Sequence, residues 1–78
     1  MVNAYVLIQT EVGKPLEVVQ EVRRVAGVVD ADAVTGPYDV IARLEAADLD
    51  LLAKLVVEQI QGVEGITRTL TCPVVHLS

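Results

Sequence analysis

Gly36-Pro37-Tyr38-Asp39 is the stretch of this sequence with the most concentrated chemical potential. Glycine and proline make a turn, but a turn does not require a tyrosine and a carboxylate side by side. Asp39 is a charge that accepts strong hydrogen bonds, and Tyr38 is an apolar wall with a polar tip. Two readings stand: the pair finishes a turn, with Asp39 bonding the loop backbone, or it recognises a small polar molecule. Other chemistry has less to work with. There is no Ser-His-Asp arrangement, no H-x-x-x-H or C-x-x-C, and no phosphate-cradling glycine loop. Glu11, Glu45 and Glu64 have no sequence neighbour that would tune them for acid-base work. Cys72 and His76 are single, so neither an internal disulfide nor a metal site can be built. No cofactor or metal is expected, and no catalytic residue is assigned.

The chain around this corner has 78 residues, one small domain, of which 53% are hydrophobic. A domain of this size buries only about 60–65% of its unfolded surface, so association with copies of itself is the expected supplement. The net charge of −5 argues against direct contact with nucleic acid, whose phosphates need clustered Lys and Arg. The one adjacent basic pair, Arg23-Arg24, shares a helix with Glu17 and Glu21 and reads as a solvated face. MVNAYVLIQTEV lacks the basic start and cleavage site of a signal peptide, and no apolar run is long enough for a membrane span. The expected location is the cytoplasm.

The corner must be positioned by strands. Residues 4–10 are β-branched and apolar; Pro15 suits the first turn of a helix whose stripe is Val18, Val22, Val25 and Ala26, ending at Gly27. Residues 28–35 alternate, with Val29, Ala31 and Ala33 on one side. After the corner, Val40, Ala42 and Leu44 alternate with Ile41, Arg43 and Glu45. Asp48 is placed to cap a helix over 49–61, with Leu49, Leu52, Ala53, Val56 and Ile60 as its stripe. A last strand, 66–72, is expected to set Ile66, Arg68, Leu70 and Cys72 against Thr67, Thr69 and Thr71. Pro73 places that strand at a sheet edge. YVLIQTE (5–11) resembles DVIARLE (39–45), and AGV (26–28) resembles QGV (61–63), so the chain reads as a duplicated β-α-β unit.

The expected fold is α+β and ferredoxin-like: βαββαβ, a four-stranded antiparallel sheet with two helices on one face. Val6, Ile8, Val29, Ala31, Val40, Ala42, Ile66 and Leu70 are expected to face the helices. The open face then carries Tyr5, Leu7, Val34 and Ile41, each worth about 1.5–3 kcal/mol if buried. These four are the candidate dimer interface. Leu51, Leu55 and Val57 lie off the main stripe of the second helix and suggest a second contact surface.

The element order, the G-P-Y-D corner (36–39) and the T-x-T of the last strand (Thr69, Thr71) resemble the effector domain of the Lrp/AsnC transcription regulators, the RAM domain. The resemblance covers about residues 3–77. It implies a dimeric α+β barrel type of assembly, with dimers joined through their sheets and gathered into octamer-like rings. It implies an amino-acid effector in clefts between dimers, contacted here by Gly36, Tyr38, Asp39, Thr69 and Thr71. Because the chain starts at the first effector-domain strand, it looks like a single stand-alone RAM-like domain over 1–78 without a helix-turn-helix domain. The implied partners are further copies, an amino acid and a full-length regulator of the family. An amino acid suits the corner: Asp39 matches an ammonium, and exposed backbone N–H groups match a carboxylate. Two alternatives share the architecture. In an ACT-like regulatory module the Glu11-Val12-Gly13 loop would carry the site; a small monooxygenase or isomerase would need pocket His, Trp, Asn or Arg.

Overall fold

The computed structural model describes residues 1–75; His76, read from sequence as a surface or interface residue, lies outside them. The elements follow the order β1 (Val2–Thr10), α1 (Pro15–Arg23), β2 (Val28–Ala33), β3 (Val40–Ala46), α2 (Leu49–Lys54, continuing as a π-helix through Leu55–Ile60) and β4 (Ile66–Pro73). The sheet is antiparallel in the order β2-β3-β1-β4, so β1 and β3 are central and Pro73 lies on an edge strand, as expected.

Alternation makes the core. Ala4, Val6 and Ile8 of β1, Ala31 of β2 and Val40, Ala42 and Leu44 of β3 point to one face and are buried there. Val18, Val19 and Val22 of α1 and Leu52, Val56 and Ile60 of α2 close over them. Pro15 opens α1, and Asp48 caps α2 by accepting the Leu51 N–H at 2.8 Å. Leu49 and Ala53, expected in the buried stripe of α2, are exposed, Leu49 being the first residue of the helix.

Two irregularities revise the face assignments made from strict alternation. The pairing of β2 with β3 shifts between Val28 and Asp30, and that of β1 with β4 shifts between Gln9 and Thr10, opposite Ile66 and Arg68. Each shift inserts one extra residue, Val29 or Thr67, and moves the following residues to the other face. Val28 and Ile66 therefore pack against the core, while Val29 and Leu70, expected under the helices, are about half exposed on the open face. Thr69 and Thr71 lie opposite Ile8 and Val6 and so belong to the helix-covered face.

The duplication survives with a corrected alignment. Val25-Ala26-Gly27-Val28 corresponds to Val63-Glu64-Gly65-Ile66, not to the QGV triplet: Val28 N–H bonds Val25 C=O, and Ile66 N–H bonds Val63 C=O. Gly27 and Gly65 both have positive φ, and their carbonyls accept Glu45 N–H and Glu11 N–H at 2.8 Å. These glycines are where each helix connection is tied to a neighbouring central strand. The second helix is longer, and its extra length is absorbed by the wider π turn, which closes with Gln61 N–H on Val56 C=O at 2.9 Å.

Gly27 also makes room for this helix: a Cβ there would stand 2.7 Å from Leu55 Cδ2 and 3.3 Å from the Glu45 carbonyl oxygen. Gly27→Ala is expected to lower stability by about 1–3 kcal/mol through strain and overpacking. Gly13→Ala, with positive φ but no atom in the way, is expected to cost less. Urea midpoints of the two variants measure the difference.

Candidate functional site

The corner follows from the last turn of the β2–β3 connection. Gly36 has φ of 150°, and a Cβ on it would meet nothing within 4 Å, so backbone conformation alone calls for glycine. Tyr38 and Asp39 follow, both half-buried, at the point where the chain enters β3. Asp39 is held from three sides. Its N–H donates to Ile8 C=O at 2.9 Å, and its C=O accepts Val34 N–H at 2.8 Å. Its Oδ2 accepts the Thr10 N–H at 2.9 Å and the Thr10 hydroxyl at 3.3 Å. The Gln9 side chain donates to Pro37 C=O at 3.1 Å.

Asp39 is thus a latch between the corner and the end of β1, satisfying a strand-end donor that lies beyond the last β1–β3 pair, Ile8 with Val40. Its second oxygen, Oδ1, takes no hydrogen bond among the described residues. One carboxylate oxygen fixes the corner to the end of β1.

Thr69 and Thr71 are elsewhere. Thr69 lines a shallow cavity with Gln61, Ile66, Thr67 and Arg68, and its hydroxyl accepts from Gln61 Nε2 at 2.9 Å. Thr71 lines a groove of roughly 330 Å³ with Leu49, Leu52, Val56, Val57 and Pro73. Gly36, Tyr38 and Asp39 line neither, so a single chain does not assemble the five effector-site positions into one pocket. The loop of the ACT-like alternative is a tight turn, Lys14 N–H on Glu11 C=O at 3.1 Å, with Gly13 at φ of 82°.

On the open face, Tyr5, Leu7 and Ile41 stand in adjacent strands, with Leu70 completing the row Ile41–Leu7–Leu70. Val34 lies just past β2, half-buried beside the corner. Tyr5 and Ile41 share a depression of roughly 310 Å³ with Val29, Asp30, Asp32 and Arg43. Asp30 lies opposite Arg43, and Arg23 reaches Asp32 at 3.6 Å. The face is therefore an apolar row bordered by charges of both signs. Thr10, Gln9 and Gln61 were not singled out from sequence. The signal for Thr10 was available only through strand register, which sets the end of β1 against the start of β3.

A βαββαβ sheet with one bare face and a latched glycine corner defines the class as a ferredoxin-like α+β domain. The chain belongs to the Lrp/AsnC ligand binding domain family, whose profile matches residues 3–76. It is 28% identical over 72 residues to an uncharacterised helix-turn-helix-type transcriptional regulator of Pyrococcus furiosus, a match covering 88% of this chain and 48% of the relative. The chain thus spans about half the length of that curated relative. Among solved structures, TTHA0845 from Thermus thermophilus superposes with a TM-score of 0.92 at 28% identity, covering 100% of this chain and 98% of that one. The transcriptional regulator NMB0573 of Neisseria meningitidis, in complex with L-Met, shares the fold with a TM-score of 0.84 at 17% identity, covering 96% of this chain and 50% of that one. Among the described residues no helix is long and apolar enough to cross a membrane.

The latch carries a stability prediction. Asp39→Ala is expected to cost about 1–3 kcal/mol, because it leaves the Thr10 N–H without its acceptor. Asp39→Asn, which keeps an acceptor oxygen, should lose less than half of that in chemical denaturation.

Proposed function

We propose that this chain is a small-molecule-sensing and assembly domain that binds an amino acid and modulates transcriptional regulation of amino-acid metabolism through partner proteins. The observation that carries the reading is membership of the Lrp/AsnC ligand binding domain family, joined to a corner whose carboxylate keeps Oδ1 available. In this reading Asp39 receives the ammonium and the turn at Gly36 receives the carboxylate. Tyr38 walls the site, and Thr69 and Thr71 are supplied by a neighbouring copy, since one chain keeps them apart from the corner. The L-Met complex of the Neisseria meningitidis regulator supports an amino acid as the ligand class.

Assembly begins with the open faces. Tyr5, Leu7, Val34 and Ile41 meet their counterparts in a second copy, and dimers gather into a ring whose seams hold the effector. An effector that fits one arrangement better than another shifts the population toward it. The domain carries out no catalysis, works in the cytoplasm and, with its net charge of −5, leaves DNA contacts to a full-length regulator of the family.

Light scattering at micromolar concentration is expected to report at least a dimer; a folded monomer would remove the interface argument. A thermal-shift series with the twenty amino acids should find a stabiliser, since an effector at about a hundred times its Kd contributes ~2.7 kcal/mol. No response from any of the twenty would count against sensing. Asp39→Asn should abolish the shift while the fold persists, and retained binding would make the corner purely structural.

A further inference from the structure

The chain has six cationic side chains, and five of them have an evident place. Lys14 pairs with Glu17 at 3.4 Å and Arg24 with Glu21 at 3.2 Å. Arg23 reaches Asp32 at 3.6 Å, and its Nε donates to Ala31 C=O at 2.9 Å. Ala31 N–H in turn donates to Asp30 Oδ1 at 2.9 Å, so an Arg and an Asp close the β2 edge at its centre. Arg43 lies opposite Asp30 in the strand register, and Lys54 stands on α2, across the sheet from the open face. Arg68 is different. It is exposed on β4 and enters no ion pair among the described residues.

Strand register sets Arg68 beside the corner. Its partner on β1 is Gln9, and paired residues share a face, here the open one that Leu7 and Leu70 share two residues further along. On its other flank Gln9 is tied to the corner, its Nε2 donating to Pro37 C=O at 3.1 Å. The next residue, Thr10, donates to Asp39 Oδ2. Arg68, Gln9 and the corner therefore follow one another across the sheet at strand spacings of about 4.8 Å. The guanidinium and the Asp39 carboxylate stand on opposite sides of β1, and no ion pair joins them. Asp30 and Asp32, acids of the open face, lie at the opposite edge of the sheet.

We infer that the effector class is a dicarboxylic amino acid, aspartate or glutamate, whose side-chain carboxylate is received by Arg68. The inference rests on the reading of the corner as an amino-acid site, in which Asp39 takes the ammonium and the turn at Gly36 the α-carboxylate. Those two groups satisfy the part that all amino acids share and do not distinguish among them. Arg68, one strand away on the far side of Gln9, supplies the distinction. Its planar fork bonds a carboxylate through two parallel N–H groups, an arrangement that the single oxygen of an amide does not match. An apolar ligand side chain laid over Gln9 would cover the guanidinium without giving it a partner, which penalises the wrong ligand as well as favouring the right one.

Calorimetric titration of the full chain with each of the twenty amino acids tests it. Aspartate or glutamate should bind about tenfold or more tightly than its own amide, asparagine or glutamine. Arg68→Gln should erase that preference by weakening the acid about tenfold while leaving the amide where it was. Arg68→Lys, which keeps the charge but not the fork, should restore part of the preference. A purely structural Arg68 would lower acid and amide affinities alike, and that outcome overturns the inference. Should Arg68→Gln misfold, the unmodified chain decides, since equal affinity for an acid and its amide also overturns it. Preferred binding of a neutral amino acid overturns the choice of ligand class and leaves the amino-acid reading standing. Silence from all twenty removes that reading and this inference with it.

Discussion

Strand β1 is the element on which this molecule depends, because it is bonded on both flanks, to β3 and to β4, and its end secures the corner. Its even-numbered residues Ala4, Val6 and Ile8 bury their side chains under the helices and bond β3; its odd-numbered residues Tyr5 and Leu7 bond β4 and present their side chains on the other face. A two-residue period therefore sets both the covered face and the hydrogen-bonding flank of each residue. The core, the open face and the direction of every edge group descend from that coupling.

The end of β1 is also where the corner is secured. Thr10 sits beyond the register shift, and its N–H finds the Asp39 carboxylate instead of a strand partner. The same side chain proposed to meet an effector is a structural strut through its other oxygen. On that proposal, ligand contact and fold stability are linked in one residue at the β1–β3 junction. That economy suits a domain of 78 residues, which has few side chains to assign to single tasks.

The duplicated halves use the same devices with different outcomes. Each helix connection ends in a positive-φ glycine whose carbonyl is tied to a central strand, and each following strand begins with an extra residue. In the first half the resulting edge is closed by Arg23 and Asp30; in the second, threonines and a proline leave the edge open. Arg23, which in sequence looks like part of a solvated basic pair, is the group that closes it. Its neighbour Arg24 remains on the surface, paired with Glu21 at 3.2 Å.

Much of the fold is legible in the residues alone: the element order, the antiparallel sheet, the edge position of Pro73, the helix starts at Pro15 and Asp48, and the buried set Val6, Ile8, Val18, Val22, Val40, Ala42 and Ile60. These follow from local rules: period, capping and the missing N–H of proline. Phase, by contrast, emerges only when the strands meet. A single unpaired residue in each of β2 and β4 breaks the alternation: Val29, the extra residue of β2, is turned to the open side, and past Thr67 in β4 Leu70 is on the open side and Thr69 and Thr71 are under the helices. No residue type announces such a bulge, because it arises from matching two strands of unequal path length between fixed glycine ties. The role of Asp39 has the same origin. Its place in the turn was legible, but its partner Thr10 lies in another strand and is brought near by register alone.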